Sequence, residues 1–181
     1  MDQRRPASIR AAFRTLRLRG VRIALLVNNA AVFARTPVGH TPPATWDRLL
    51  GANLRGPFLV VQAALPLFAP GAAIVNVADV GGVVPWSGYP AYAASKAGLI
   101  QLTRVLARAL APRLRVNAVA PGPILRAPGT PRSVWKNAVA RTALRRAGSA
   151  DDVARGVLFL AGNRFITGQT LFVDGGRHLC Y

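Results

Sequence analysis

Four short apolar runs set the terms for what this chain can fold into. Residues 21–27, 72–78, 115–119 and 170–173 are each the length of a strand. Each runs into polar, proline or glycine residues: Asn28-Asn29, Asp79, Pro121-Gly122 and Asp174-Gly175-Gly176. Runs that are apolar without alternation suit strands covered on both faces. Helix-length stretches separate them, and strands alternating with helices imply a parallel sheet with helices on both sides. An apolar fraction of 51% supports a folded core.

The intervening stretches read as helices with recognisable ends. In residues 7–18, Ile9, Phe13 and Leu16 make one stripe, Arg10, Arg14 and Arg17 lie beside it, and Gly20 stops the pattern. Pro42 and Pro43 precede a helix over about 44–67, with Pro57 as a candidate break. Pro90 opens another that runs to about residue 111. Ser149 and Asp152 form a capping box at the head of a helix ending near Gly162. Residues 123–142 have several prolines and no clear period, which predicts a mobile loop with short helical pieces. No repeat or linker divides the sequence, so residues 1–181 read as one domain.

Charge narrows the function classes. Lys and Arg number 24 against 6 acids, a formal net charge of +18, with no glutamate and only two lysines, Lys96 and Lys136. Such a field attracts anions without specificity. The arginines are scattered and no basic run exceeds two residues. Zinc-finger spacing and basic-aromatic RNA motifs are absent, so specific nucleic-acid binding is not expected. No apolar run has the length of a membrane span, and residues 1–6 lead into no signal-type core. The single cysteine, Cys180, can form no internal disulfide. A cytoplasmic protein is the expectation.

Chemistry concentrates around Tyr92, Lys96 and Asp79. Tyr92 and Lys96 are four residues apart and share one helix face. An ammonium beside a phenol is expected to lower the tyrosine's pKa and make it a proton carrier near neutral pH. A neighbouring Asp79 carboxylate would act in the opposite direction, so the net sign stays open. Ligands of open α/β sheets bind beyond the carboxyl ends of the strands, where Asn29, Asp79 and Pro121-Gly122 should converge with the start of the Tyr92 helix. His40 and His178 lack a partner at ligand spacing and read as surface histidines, with no metal site.

With these motifs in view, the chain resembles the short-chain dehydrogenase/reductase family. Leu26-Val27-Asn28-Asn29-Ala30, Gly51-Ala52-Asn53-Leu54, Ile74-Val75-Asn76-Val77, Tyr92-Ala93-Ala94-Ser95-Lys96 and Val116-Asn117-Ala118-Val119-Ala120-Pro121-Gly122 carry the likeness. Ile166-Thr167-Gly168-Gln169 and Val173-Asp174-Gly175-Gly176 extend it to the C-terminal end. The resemblance implies a Rossmann-type, doubly wound parallel sheet and an NAD(P)-dependent oxidoreductase. It implies Tyr92 as acid/base, Lys96 as holder of the nicotinamide ribose, and Asn53 as support for a water-linked proton path to Lys96. Asn29, Ala30, Pro121, Gly122 and Ile124 would line the cofactor.

Asp79 stands where most members have serine. One reading is a degenerate site. The other is the pteridine reductase subgroup, which carries aspartate there. Phe33, placed to stack a pterin, Gly88-Tyr89-Pro90-Ala91-Tyr92 and Gly175-Gly176-Arg177 are similar to that subgroup. The implied reaction is reduction of a dihydropterin or dihydrofolate with NADP(H), NAD(H) not being excluded. Trp86 could touch this substrate or merely cover its loop, and Trp135, in the segment where the family has its lid, is a weaker candidate. Another carbonyl or 3-oxoacyl reductase, or an inactive remnant serving as an oligomerisation partner, stay open as alternatives. Self-association is expected through the helices over 44–67 and 91–111.

The family's glycine-rich phosphate loop, Thr-Gly-x-x-x-Gly-x-Gly, has no counterpart before Asn28. The expectation is therefore an incomplete, N-terminally truncated sheet. Its phosphate contacts would be weakened, and the first strand would be left as an apolar edge.

Overall fold

The computed structural model describes residues 1–180. In chain order they form α1 (Pro6–Leu18), β1 (Ile23–Asn28), α2 (Pro43–Leu50), α3 (Gly56–Ala64), β2 (Phe68–Val77), α4 (Pro90–Leu110), β3 (Arg115–Pro121), α5 (Arg132–Ala140), α6 (Ala150–Gly162) and β4 (Thr170–Val173). All strand pairs are parallel, in the order β1-β2-β3-β4. All four strands therefore end on one edge of the sheet.

The period-two geometry of a strand sends neighbouring residues to opposite faces. Leu26, Ile74 and Val116, in register across β1, β2 and β3, face a core made by α1, α3 and α4. Leu25, Val75 and Val119 face α6, whose Val153, Val157 and Leu160 cover them. The sheet is thus wound on both sides. The α1 stripe is used as the sequence implied: Ile9 and Phe13 are buried against Val60, Val61 and Ala64, worth about 1.5–3 kcal/mol per large side chain.

Several buried polar groups in this core are paired. Asn28 Nδ2 donates to Asn76 Oδ1 (2.8 Å) and Asn76 Nδ2 to Thr103 Oγ1 (2.9 Å), tying β1, β2 and α4 together. Arg115 donates to the carbonyls of Leu160, Ala161 and Asn163. A cation at the C-terminal end of α6 also suits the helix dipole. The Ser149–Asp152 capping box closes the other end.

Three local expectations change. The helix over 44–67 is interrupted by a π turn, Gly51–Arg55, where the Gly56 N–H bonds Gly51 O. Pro57 has no N–H for the carbonyl of Asn53, and the wider turn forms just ahead of it. β2 starts at Phe68, earlier than its apolar run, because Ile23 pairs with Phe68 across a register shift. The 123–142 segment holds a nine-residue helix, α5, set off by Pro131. Among the described residues no helix is long and apolar enough to cross a membrane.

Candidate active site

α4 presents one buried stripe that includes Tyr92, Ser95, Lys96 and Leu99. Its first turn is fixed by the Ala91 N–H, which donates to Thr36 Oγ1 (3.1 Å). The turn after β2 lies directly on this helix because Gly82 has no side chain. A Cβ there would sit 2.9 Å from the Lys96 backbone carbon. This approach brings the Asp79 carboxylate to the phenol: Tyr92 Oη donates to Asp79 Oδ2 at 2.9 Å. Asp79 Oδ1 accepts the Gly81 N–H at 2.6 Å. Lys96 Nζ donates to Val77 O at 2.8 Å and lies 5.8 Å from the centre of the Tyr92 ring.

Burial decides the electrostatics. It pushes the Tyr92 phenol well above its ordinary range, and the charge of Asp79 and its hydrogen bond push the same way. The sign that the sequence left open is upward here, with burial and Asp79 outweighing Lys96. One N–H of the ammonium is held by Val77 O, and the phenolic proton belongs to the Tyr92–Asp79 bond. Tyr92 is therefore a protonated donor at neutral pH. Asp79 is raised by burial, against the opposing pull of the Gly81 N–H, Tyr92 and Lys96. Lys96, 3% exposed, is lowered to about 8 by burial, with Asp79 acting in the opposite direction. Two acids with raised proton affinity and one softened base share a few ångströms.

Tyr92 and Asp79 open into a cavity of about 340 Å³. Phe33, Trp86, Tyr89 and Trp135 give it aromatic walls. Phe33 stacks on Tyr89 and meets Tyr92 edge-on, both at 4.8 Å between centres. Trp86 lies parallel to Tyr92 at 6.3 Å. The cavity thus suits a flat ring with a proton donor at its edge. Trp135 reaches it from α5, so the 123–142 segment supplies one wall.

Asn53 sits in the π turn, and its side chain is fully used. Oδ1 accepts the Val32 N–H (2.8 Å), and Nδ2 donates to Val32 O (2.9 Å) and Ser95 Oγ (3.1 Å). It clamps the residue before Phe33 onto α4. None of these side-chain bonds leads to Lys96.

The other expected residues divide by place. Asn29 and Ala30 follow β1 and are exposed. Pro121 ends β3 opposite Val173. Gly122 borders the cavity, and a Cβ there would come within 2.7 Å of the Asp174 Cα, so only glycine allows this crossing. Ile124 lines an adjoining hollow of about 460 Å³ beside Phe172 and His178, not the Tyr92 cavity. The histidine expectation is also corrected: His178 is half-buried, stacked on Phe172 at 4.2 Å, with Nδ1 2.7 Å from Asp174 Oδ2. Its i, i+4 spacing from Asp174 was the available signal.

Two residues quoted only within motifs, and one not singled out at all, belong to the site's surroundings. Tyr89 and Arg177 line the cavity. Gln3 Nε2 donates to both Ala30 O (2.7 Å) and Ala52 O (2.8 Å), joining the loop after β1 to the π turn. Nothing in the local sequence around Gln3 signals this bridge.

A protein-family model described as enoyl-(acyl carrier protein) reductase matches residues 1–178. The chain belongs to the short-chain dehydrogenase/reductase family. It is 39% identical over 163 residues to the 3-oxoacyl-[acyl-carrier-protein] reductase FabG of Thermotoga maritima, covering 86% of this chain and 66% of that protein. The reductase family therefore accounts for nearly all of the chain, while the chain spans slightly under two thirds of this relative. Among solved structures, a blue fluorescent protein from a metagenomic library in complex with NADPH is 35% identical, with a TM-score of 0.89 over 97% of this chain and 73% of that one. FolM alternative dihydrofolate reductase 1 from Brucella canis, complexed with NADP, is 37% identical with a TM-score of 0.80, covering 88% of this chain and 64% of that one.

Proposed function

We propose that this reductase-family chain reduces a dihydropterin- or dihydrofolate-type substrate with NADPH, using Tyr92 as the proton donor. The observation that carries the reading is the 2.9 Å bond from Tyr92 to Asp79 at the floor of an aromatic cavity. Reduction of a ring C=N bond adds hydride at carbon and a proton at nitrogen. Phe33, Tyr89 and Trp86 would hold the flat ring, and Tyr92 Oη would give the proton. Asp79, which accepts the phenol's O–H and whose proton affinity is raised, would take a proton from solvent and pass it back to the phenolate.

The nicotinamide cofactor supplies the hydride when bound. The donor set at the strand ends fits its ribose and nicotinamide half. Lys96 has three N–H donors and one protein acceptor, Val77 O. Gly122 lets backbone and ligand approach closely. Asn29, Ala30, Pro121 and Ile124 complete the proposed surface, and Asn53 keeps Val32 and Phe33 in place beside it. The FolM structure, a dihydrofolate reductase with NADP, supports both the substrate class and the choice of NADPH.

A second reading, reduction of a 3-oxoacyl group, is favoured by the FabG relative. NADPH consumption by the purified 181-residue chain, with a dihydropterin or a 3-oxoacyl thioester, separates the two. Turnover should be at least tenfold faster with the dihydropterin. Turnover with the thioester alone would assign the second reading. A folded chain that binds no NADPH in a fluorescence titration would reject both and leave a role as an oligomerisation partner. Self-association is placed on the helical stretches over 44–67 and 91–111, where Phe58 and Val105 are exposed. Light scattering should then show a multimer that Val105→Asp weakens.

A further inference from the structure

The turn after β4 puts a buried cation at the cavity, and none of the carboxylates among the described residues pairs with it. Arg177 lines the cavity that holds Tyr92 and Asp79, and it is 7% exposed. Its guanidinium offers five N–H donors. Among the described residues its side chain bonds only the Cys180 carbonyl, and no carboxylate pairs with it. Burying a guanidinium in this state is costly unless a further acceptor arrives. A surface arginine in this arginine-rich chain would carry no such message; this one is almost fully removed from water.

The turn itself is built to hold the residue still. Asp174 Oδ1 accepts the Gly176 N–H (3.0 Å), and Oδ2 accepts the His178 N–H (2.8 Å). Asp174 O accepts the Arg177 N–H (3.2 Å). His178, stacked on Phe172, adds its ring nitrogen to Asp174 Oδ2. Gly175 and Gly176 take the positive φ values, +62° and +76°, that this tight path requires. The backbone of Arg177 is thus fixed from both sides by its neighbours.

Position then says what part of a ligand it meets. Asp79 follows β2 and Arg177 follows β4, two strand spacings away, about 10 Å at the usual separation of neighbouring strands. A ring seated on Phe33 with its reacting edge at Tyr92 leaves Arg177 for a group carried beyond the ring. The planar fork of a guanidinium matches a carboxylate with two parallel hydrogen bonds. We propose that Arg177 selects substrates whose flat nitrogen heterocycle carries an acidic tail, a folate-type ligand over a bare pterin. This rests on the pterin reading of the same cavity and names the residue that sets its specificity.

Calorimetric titration of the 181-residue chain with folic acid and with pterin lacking the tail tests it, without requiring turnover. Wild type should bind folic acid about tenfold more tightly, as one charge-assisted contact implies. Arg177→Ala should remove that preference and leave pterin affinity unchanged. Arg177→Lys should restore part of it, and both variants should melt as one cooperative transition. Equal affinities in wild type, or a preference that survives Arg177→Ala, would overturn the proposal while leaving the pterin reading intact. Failure of wild type to bind either compound would overturn both. A loss of NADPH affinity in Arg177→Ala with the folate preference kept would also overturn it, by giving the guanidinium to cofactor phosphate.

Discussion

On the α4 side of the cavity, Tyr92, Ser95, Lys96 and Leu99 are all buried, and strands, turn and helix hold each other through Gly82 and Thr36. On the α5 side no residue of Arg132–Ala140 is buried, although Val134, Trp135 and Ala138 line the same cavity. One wall is fixed by the core of the fold. The other rests on it with little apolar area behind it. Segments of low burial open at small free-energy cost, and access to binding sites is drawn from them. The contrast implies that proton chemistry resides in the rigid wall and admission of substrate in the loose one.

The largest break in this comparison should come from Tyr92→Phe. Losing the proton donor should lower dihydropterin kcat by about 10²–10⁴-fold while ligand affinity stays within a few-fold; stopped-flow assays with parallel titration check both. A variant with near-normal kcat would move the chemistry out of the rigid wall. Leu99→Ala should destabilise the fold by about 2–5 kcal/mol, the range for a fully buried leucine, seen by urea unfolding. A cost under about 1 kcal/mol would mean that α4 is not the fixed wall.

Asp79→Ser should lower dihydropterin turnover by about tenfold to a hundredfold, and unchanged turnover would remove Asp79 from the proton path. The same variant sharpens the pH dependence. Lys96 is lowered from 10.5 to about 8. Below pH about 8 it is charged in both folded and unfolded chains. Above that value the folded chain loses the proton first, so this group's contribution to stability rises with pH while activity that needs the ammonium falls. Wild-type turnover should therefore decline with an apparent pKa near 8. Asp79 supports the charged lysine, so Asp79→Ser should move that limb to lower pH; a limb that stays in place would show that Lys96 does not control it.

The smallest effect belongs to the loose wall. Trp135→Ala should raise KM a few-fold and alter stability by only about 0.5 kcal/mol, as expected away from the core. A melting-temperature loss as large as that of Leu99→Ala would erase the difference between the walls.

The strand–helix alternation and the stripe on α1 were legible because burial writes a period into sequence. Tyr92 and Lys96 share a buried helix face, and Asp79 meets the phenol across the turn that Gly82 admits. The π turn was only hinted at by Pro57, since the proline marks a missing donor and not how the helix absorbs it. Trp135 was read as a weak candidate because α5 lies on a proline-rich segment whose own sequence has no core-facing period. Ile124 sits one residue beyond Pro123, yet it faces the neighbouring hollow instead of the Tyr92 cavity.

By itself, then, the sequence determined the parallel α/β layering, the helix carrying Tyr92 and Lys96, and the strand ends where a site should form. These follow from local periodicity and from chain geometry that any parallel sheet must obey. Only the tertiary structure decided that the Tyr92 phenol is held protonated, that Asn53 spends its amide on Val32 and Ser95, and that Arg177 comes to the cavity. Desolvation and hydrogen-bond partners depend on atoms far apart in sequence, and Asp79 and Arg177 are 98 positions apart (177 − 79). They line one cavity only once the strands lie side by side.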